Sequence, residues 1–289
     1  MRVTLLHSRI RVEERLLLDE LERRGIDVRP LHADETVIEL TSDRDPGRPE
    51  ILLDRCLSHT KAAAIVRAFE AQGVDCINPS SVIETCGDKL QTTAALARAG
   101  VPSPRTIAAF SYEGAVQAAE RLGYPLVLKP TVGSWGRMVS KINDRDALDA
   151  VLEHKAHLGG VQHGVIYLQE LINKPGRDIR AFVVGDETIC AIVRHSEHWI
   201  TNTARGGRAE GFPVTDELNE ICVRAAHAIG GGVVAIDLME DPERGLLVNE
   251  INSTMEFKNS IAPTGVDIPA RIVDFVLQHA HAGVSRGLA

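Results

Sequence analysis

Three groups of residues in this chain have types and spacings that could do chemistry. The first is acidic. Asp237 stands inside the apolar run Val233–Met239, while Glu250 and Asn252 stand two apart at the end of the run Leu246–Ile251. With the two-residue period of a strand, Glu250 and Asn252 project from one face, and a paired neighbouring strand can bring Asp237 beside them. Oxygen donors without thiol or imidazole suit magnesium, which takes one or two carboxylates and leaves the rest of its shell to water and phosphate. A carboxylate inside an apolar strand needs a partner, so a buried salt bridge to an arginine is the alternative.

The second group is a lysine followed by a glycine loop. Neither G-x-x-x-x-G-K-[ST] nor G-x-G-x-x-G occurs, so a bound nucleotide needs another phosphate device. The segment Val127–Arg137 supplies a candidate: an apolar strand delivers Lys129, and Gly133, Ser134 and Gly136 can present backbone N–H groups to an anion. A plain hairpin whose glycines only make the turn is the competing reading. The third group is basic: Arg177, Arg180, Arg194, then Trp199–Arg208. Arginine's planar fork suits carboxylates and phosphates. Arg180 and Arg194 flank a predicted hairpin and can reach one pocket, whereas Arg208 reads as a solvated loop charge. His195 and His198 bracket Glu197, and His154 and His157 lie three apart beside Glu153 and Lys155 on a solvated helix face; a zinc hydrolase is disfavoured.

The elements that position these groups follow from pattern. Short apolar runs alternate with helical patterns at Val3–Leu6, Glu13–Arg24, Ile26–Pro30, Ile51–Leu53 and Thr60–Gln72, the cadence of βαβ units and a parallel sheet. After Asn78–Pro79 a helix starts, and another is expected from Asp88 to Ala99. Strands are expected at Thr106–Ala109, Pro125–Lys129, Met138–Ile142 and Ile166–Gln169, with helices at Tyr112–Leu122 and Asp146–Leu158. Gly185–Asp186 between Ile179–Val184 and Thr188–Arg194 is a hairpin signal. A helix over Asp216–Ile229, strands at Val233–Glu240 and Gly245–Ile251, and a helix over Ile268–Gln278 complete the chain.

Composition excludes several classes. The 289 residues suggest roughly two domains at about 150 residues each. Thirty-two Lys plus Arg against 40 Asp plus Glu give a net charge of −8, which disfavours a general nucleic-acid binder. With 44% hydrophobic and 25% charged residues the chain is an ordinary globular one. The N-terminus is apolar only over Val3–Leu6, too short for a signal-peptide core, and no run of about 18 apolar residues occurs, so no membrane span is expected. The five cysteines (Cys56, Cys76, Cys86, Cys190, Cys222) are scattered without a C-x-x-C pair; a reducing cytoplasm fits, and each reads as a small buried hydrophobe before a nucleophile.

The order of the groups carries a resemblance. Asp88-Lys89, Lys129 in V-L-K-P, the glycine loop, a strand ending in Gln169-Glu170, Asp178-x-Arg180, and a late Asp237 followed by Glu250-x-Asn252 together resemble the ATP-grasp ligases, over essentially the whole chain. Gly176–Val184 and Val248–Asn252 resemble the branch that includes RimK. Cys86–Lys89, Gly133–Arg137, His198–Gly207 and Asn252–Asn259 are similar to its LysX-type members.

This resemblance implies an α/β chain, α+β in part, with an ATP-grasp fold behind an N-terminal βαβ pre-ATP-grasp domain. The expected units are 1–86, a central lid domain 87–170, and 171–289 with the metal and substrate site. It implies ATP, two Mg2+ ions, and amide formation through an acyl phosphate. The carboxyl would come from the C-terminal glutamate of a small acidic carrier protein, LysW, and the amine from α-aminoadipate, in lysine biosynthesis. Alternatives are a glutamate ligase acting on the same carrier for arginine biosynthesis, an enzyme with both activities, and RimK-like glutamylation of a protein tail. By the same resemblance, Lys89 and Lys129 neutralise phosphates, and Gly133, Ser134, Trp135, Gly136 and Arg137 close over them. Gln169, Glu170 and Ile172 face adenine and Asp178 the ribose. Arg180, Arg194 and Asn202 stabilise the reacting groups. Arg194, Asn202, Thr203, Arg205, Gly206 and Gly207 lie beside the amino acid, and Asp237, Glu250 and Asn252 hold the metal. Partners beyond carrier and amino acid are further copies of the chain, as a dimer or tetramer, with no nucleic acid or membrane. A local positive funnel built from Arg177, Arg180, Arg194, Arg205 and Arg208 is expected to receive the acidic carrier, the competing reading being that internal ion pairs with Asp178, Glu197 and Glu210 leave no funnel.

Overall fold

A computed structural model describes residues 1–41, 49–133, 137–160, 164–196, 198–201 and 208–286, the side chains at 208 and 281–286 excepted. The first stretch forms a parallel sheet in the order β2-β1-β3-β4, from β1 (Arg2–His7), β2 (Asp27–His32), β3 (Ile51–Arg55) and β4 (Asp75–Ile77). Helix α1 (Val12–Arg23) follows β1 and α2 (His59–Ala71) follows β3. This is the expected βαβ cadence. In α1, Leu17 and Leu21 are spaced one turn apart and fully buried, so the helix sits on the sheet by one apolar stripe.

Helices α3 (Ser80–Gly87) and α4 (Lys89–Arg98) lead to a second, antiparallel sheet. Its order is β5-β8-β6-β7, built from β5 (Thr106–Ala109), β6 (Leu126–Lys129), β7 (Ser140–Ile142) and β8 (Ile166–Glu170). Helices α5 (Tyr112–Leu122) and α6 (Arg145–Leu158) cover one face. Their core, from Ala115 and Ala119 to Leu128, Leu148 and Leu168, contains only residues of this stretch.

The third sheet is antiparallel and five-stranded, in the order β11-β10-β9-β12-β13. Its strands are β9 (Arg177–Val184), β10 (Glu187–His195), β11 (Arg208–Phe212), β12 (Val233–Asp241) and β13 (Gly245–Asn252). Gly185, at φ 61°, makes the β9–β10 turn, a conformation that glycine adopts without a Cβ penalty. Alternation along each strand divides the faces. Ile179, Ala181, Val183, Val234, Ile236 and Leu238 pack under α7 (Asp216–Ala228). On the opposite face Phe182, Val184, Ile192, Val233 and Ala235 join a core shared with Val3, Leu5, Leu17 and Leu21 of the first stretch. Helix α9 (Ile268–Arg286) seals that core through Ile268, Ile272, Val273 and Val276. Fully buried side chains such as Phe182 and Leu5 each contribute about 1.5–3 kcal/mol.

Beyond Ala235 and Phe182 this second face changes character. The same period-two positions become Asp237 on β12, and Arg180 and Asp178 on β9. The sheet thus spends half of one face on core and half on charge.

Among the described residues, β4, β11, α8 (Lys258–Thr264) and a short 3-10 turn at Ala33–Glu35 were not expected from pattern. Helix α9 also runs on to Arg286, past the expected end at Gln278. Among the described residues no helix is long and apolar enough to cross a membrane.

Candidate active site

The charged half of the third sheet faces the ends of β6 and β8, and between them lies a cleft of about 1130 Å3 counted to its open mouth. Strand pairing makes the acidic set. Asp237 is the register partner of Glu250 and Ala235 that of Asn252, so the three oxygen donors meet on adjacent strands, with a bulge after Asp237. Among the described residues no three His, Cys, Asp or Glu side chains gather as a metal cage. Two carboxylates and an amide oxygen are nonetheless a hard-oxygen set that fits magnesium carried in with phosphates. The buried Asn252 Nδ2 has no hydrogen-bond partner.

Asp237 also realises the alternative reading. Arg180 binds it with both fork nitrogens, Nε to Oδ1 at 2.7 Å and Nη2 to Oδ2 at 2.8 Å, and Arg194 Nη2 stands 3.1 Å from Oδ1. Burial pushes the Asp237 carboxyl up, but the two guanidinium groups outweigh it and hold it down at about 2. Arg194 is in turn held by Asp178 at 2.7 and 2.8 Å, and Arg177 by Glu240 at 2.6 and 2.8 Å. The expected funnel of free arginines is therefore corrected for Arg177, Arg180 and Arg194: cross-strand neighbours of opposite charge neutralise them. Asp178, expected near a ribose, has both carboxylate oxygens on Arg194.

The cations expected at phosphates come from two elements. Lys129 ends the buried strand β6, and its Nζ donates to Gln169 Oε1 at 2.6 Å and Asn249 Oδ1 at 2.9 Å. Burial lowers its pKa to about 8; Glu250 opposes the change, while Lys89 and Lys174 add to it. Lys89 opens α4 behind the Asp88 cap, which accepts from Leu90 N–H at 2.8 Å. Its Nζ donates to the Gly133 carbonyl at 2.6 Å and lies 3.8 Å from Glu250 Oε1. Arg137, Glu170 and Ile172 line the cleft too. The Glu170 carboxylate, however, is engaged by the Arg105 N–H at 2.6 Å and Arg244 Nη1 at 2.8 Å, and Gln169 Oε1 serves Lys129.

Ser134, Trp135, Gly136, Asn202, Thr203, Arg205, Gly206 and Gly207 lie outside the described residues, as does Glu197. Sequence reasoning missed Asn249, which sits inside V-N-E-x-N, and Lys174, two residues before Gly176-Arg-Asp. Lys174 lines the cleft, hydrogen-bonds Thr201, and has its pKa lowered by burial. Burial raises the thiols of Cys190 and Cys222 to about 11 and 12, which removes them as thiolate nucleophiles at neutral pH.

Residues 86–276 match the RimK-like ATP-grasp domain and residues 3–85 the LysX preATP-grasp domain. The chain is 36% identical over 273 residues to the alpha-aminoadipate–LysW ligase LysX of Sulfurisphaera tokodaii, covering 93% of this chain and 95% of that relative. It is 34% identical over 281 residues to the glutamate–LysW ligase ArgX of the same organism, covering 96% and 99%. A RimK domain ATP-grasp protein from Sphaerobacter thermophilus superposes with a TM-score of 0.77 at 25% identity, over 96% of this chain and all of that one. The D-alanine–D-alanine ligase of Bacillus anthracis, solved with ATP, shares the fold at a TM-score of 0.72 and 16% identity, with 99% of each chain covered. With both its parts matched in order, the chain belongs to the RimK-like ATP-grasp ligase family, preceded by a LysX-type pre-ATP-grasp domain.

Proposed function

We propose that this chain is an ATP-dependent carboxylate–amine ligase that joins the α-amino group of α-aminoadipate to the side-chain carboxyl of the C-terminal glutamate of a LysW-type carrier, in lysine biosynthesis. One observation supports it most: a single cleft is lined by three lysines (Lys89, Lys129, Lys174), three arginines (Arg137, Arg180, Arg194) and the Asp237/Glu250/Asn252 oxygen set, beside relatives named for this reaction. The acceptor carboxylate oxygen attacks the γ-phosphorus and ADP leaves; the amine nitrogen then attacks the acyl carbon, phosphate leaves, and the amine gives up a proton.

The protein's part is charge neutralisation and positioning rather than nucleophilic attack. Lys129 and Lys89 turn from Gln169, Asn249 and the Gly133 carbonyl to the ATP phosphates. Arg194, fixed by Asp178, presents charge to the phosphoryl oxygens. Asp237, Glu250 and Asn252 hold magnesium, two ions in this reading, which neutralises the phosphates. Exclusion of water protects the acyl phosphate.

Phosphate release with ATP, Mg2+, a LysW-type carrier and either amino acid tests the proposal. We expect kcat/KM for α-aminoadipate to exceed that for glutamate by about 10–200-fold, the scale of one methylene in a pocket. A reversed ratio would support the second reading, a glutamate ligase, which the 34% identity to ArgX over 281 residues favours as the alternative. No carrier-dependent phosphate release with either amino acid would refute both.

A further inference from the structure

Asp237, the carboxylate proposed to hold magnesium, already holds a cation. A carboxylate offers about four lone-pair positions. Arg180 takes two of them, at 2.7 and 2.8 Å, and Arg194 approaches a third at 3.1 Å. A divalent ion on these oxygens would meet two guanidinium charges at short range and shared lone pairs, so it requires one arginine to leave. The two are not equally free to do so. Arg194 has a side chain only 5% exposed and is pinned on its other side by Asp178. Arg180 is 17% exposed, makes no other ion pair among the described residues, and lines both the main cleft and an adjoining cavity of about 1250 Å3, counted likewise to its open mouth, that also reaches Glu250 and Asn252.

We propose that Arg180 is a resident stand-in for the metal at Asp237, displaced when the metal–nucleotide complex enters, and that its displacement frees the guanidinium for the phosphoryl or acyl-phosphate oxygens. This rests on the reading of Asp237 as a metal ligand. Metal alone offers Arg180 no new partner and binds weakly. A polyphosphate offers one and draws the arginine off, so metal and nucleotide bind with positive coupling that passes through one side chain.

The test uses Mn2+ as the probe, titrated into the intact, nucleotide-free chain and read by electron paramagnetic resonance. Arg180→Gln should bind Mn2+ at least about tenfold more tightly than the parent, the scale of a lost charge-assisted pair. Arg180→Lys, with the charge kept and the fork lost, should fall between them. Arg177→Gln removes the same charge from the Glu240 pair on the same strand and should change nothing. With ADP present, the parent's Mn2+ affinity should rise by a larger factor than that of Arg180→Gln. Equal or weaker Mn2+ binding by Arg180→Gln, or equal tightening by Arg177→Gln, would overturn the exchange. A separate arm tests the underlying assignment: Asp237→Asn with unchanged Mn2+–ADP binding removes Asp237 from the metal site, whereas loss of that binding without tightening in Arg180→Gln removes only the exchange.

Discussion

Lys129 is the group whose loss should improve the fold while harming function. It is buried at the end of β6 with neutral oxygen partners, and its pKa falls from the ordinary 10.5 to about 8. At about 1.4 kcal/mol per tenfold change in proton affinity, that is about 3 kcal/mol against the charged ammonium in the ligand-free chain. The folded value lies below the unfolded one, so between pH 8 and 10.5 the unfolded chain retains a proton that the native chain has lost. Stability contributed by this group is flat below about pH 7 and rises with pH through that window. By pH 10 the parent should gain about 2–3 kcal/mol from Lys129 alone. Lys129→Met keeps the apolar stem and removes the charge, but strands the Gln169 and Asn249 oxygens at about 1–3 kcal/mol. The two effects nearly offset at pH 7, where the variant should be as stable as the parent or up to about 2 kcal/mol more so. Urea denaturation of both proteins from pH 7 to 10, without nucleotide and with a chelator, gives the difference curve; other titrating groups cancel in it. ATP affinity of the variant should fall at every pH. Parallel stability curves for parent and variant would refute the argument, whatever happens to ATP binding.

Other substitutions separate charge from architecture. Asp237→Asn should abolish ligation and also cost about 3–5 kcal/mol, because Arg180 loses its buried counter-ion and Arg194 is left with Asp178 alone; normal ligation at saturating Mg2+ would exclude the metal role. Glu250→Gln should abolish ligation with a stability change under about 1 kcal/mol, since its one ion pair among the described residues, to Lys89, is long at 3.8 Å and its carboxylate partly exposed; a large loss of melting temperature would contradict this. Asn78→Ala should cost about 2–4 kcal/mol in denaturant unfolding: its amide accepts from Val233 N–H at 2.7 Å and donates to the Val233 and Ser253 carbonyls at 2.8 Å each, all buried. Native-state hydrogen exchange of the ligand-free chain should be faster over β5–β8 than over β9, β12 and β13, and equal protection would argue against the seam described below.

Much of the site was legible because charge inside an apolar strand is a strong anomaly. Asp237 and Glu250 stood out on that ground, and the period of two put Glu250 and Asn252 on one face. The pairing was not legible: the arginine-partner reading of Asp237 is realised, and only the β9–β12 register, Arg180 against Asp237, shows it. Register over 57 residues of sequence leaves no local trace. The same holds for α9, whose apolar stripe declares that it is amphipathic but not that it returns to the first sheet. Strands β4 and β11 escaped because three and five residues are too few for a period to assert itself, and Pro263 hid α8. Asn249 and Lys174 are ordinary polar residues whose importance comes wholly from what lies across the cleft.

The three sheets are joined by two different kinds of seam, and this decides which part can move. The first and third share one apolar core, stapled by Asn78 and by Arg55, which donates to the Met255 carbonyl at 2.9 Å just beyond β13. Separating them would expose Leu5, Phe182 and Val276 together. Helices α3 and α4 belong to the same body through Val82, Ala95 and Leu96 against α7. The second sheet has its own core and meets this body through polar contacts: Lys129 to Asn249, Arg244 to Glu170, Thr93 to Tyr167 at 2.7 Å, and the Lys89 N–H to the Thr131 carbonyl at 2.8 Å. Hydrogen bonds of this kind exchange with water or phosphate at little net cost, whereas an apolar core does not open without losing most of its stabilisation. The carboxylates proposed to hold the metal, Asp237 and Glu250, therefore sit on the rigid side and Lys129 on the side with the polar seam. A polyphosphate bound to both lysines, as proposed, would replace part of the polar seam with charge-assisted contacts of its own and so tie the position of the second sheet to occupancy of the cleft.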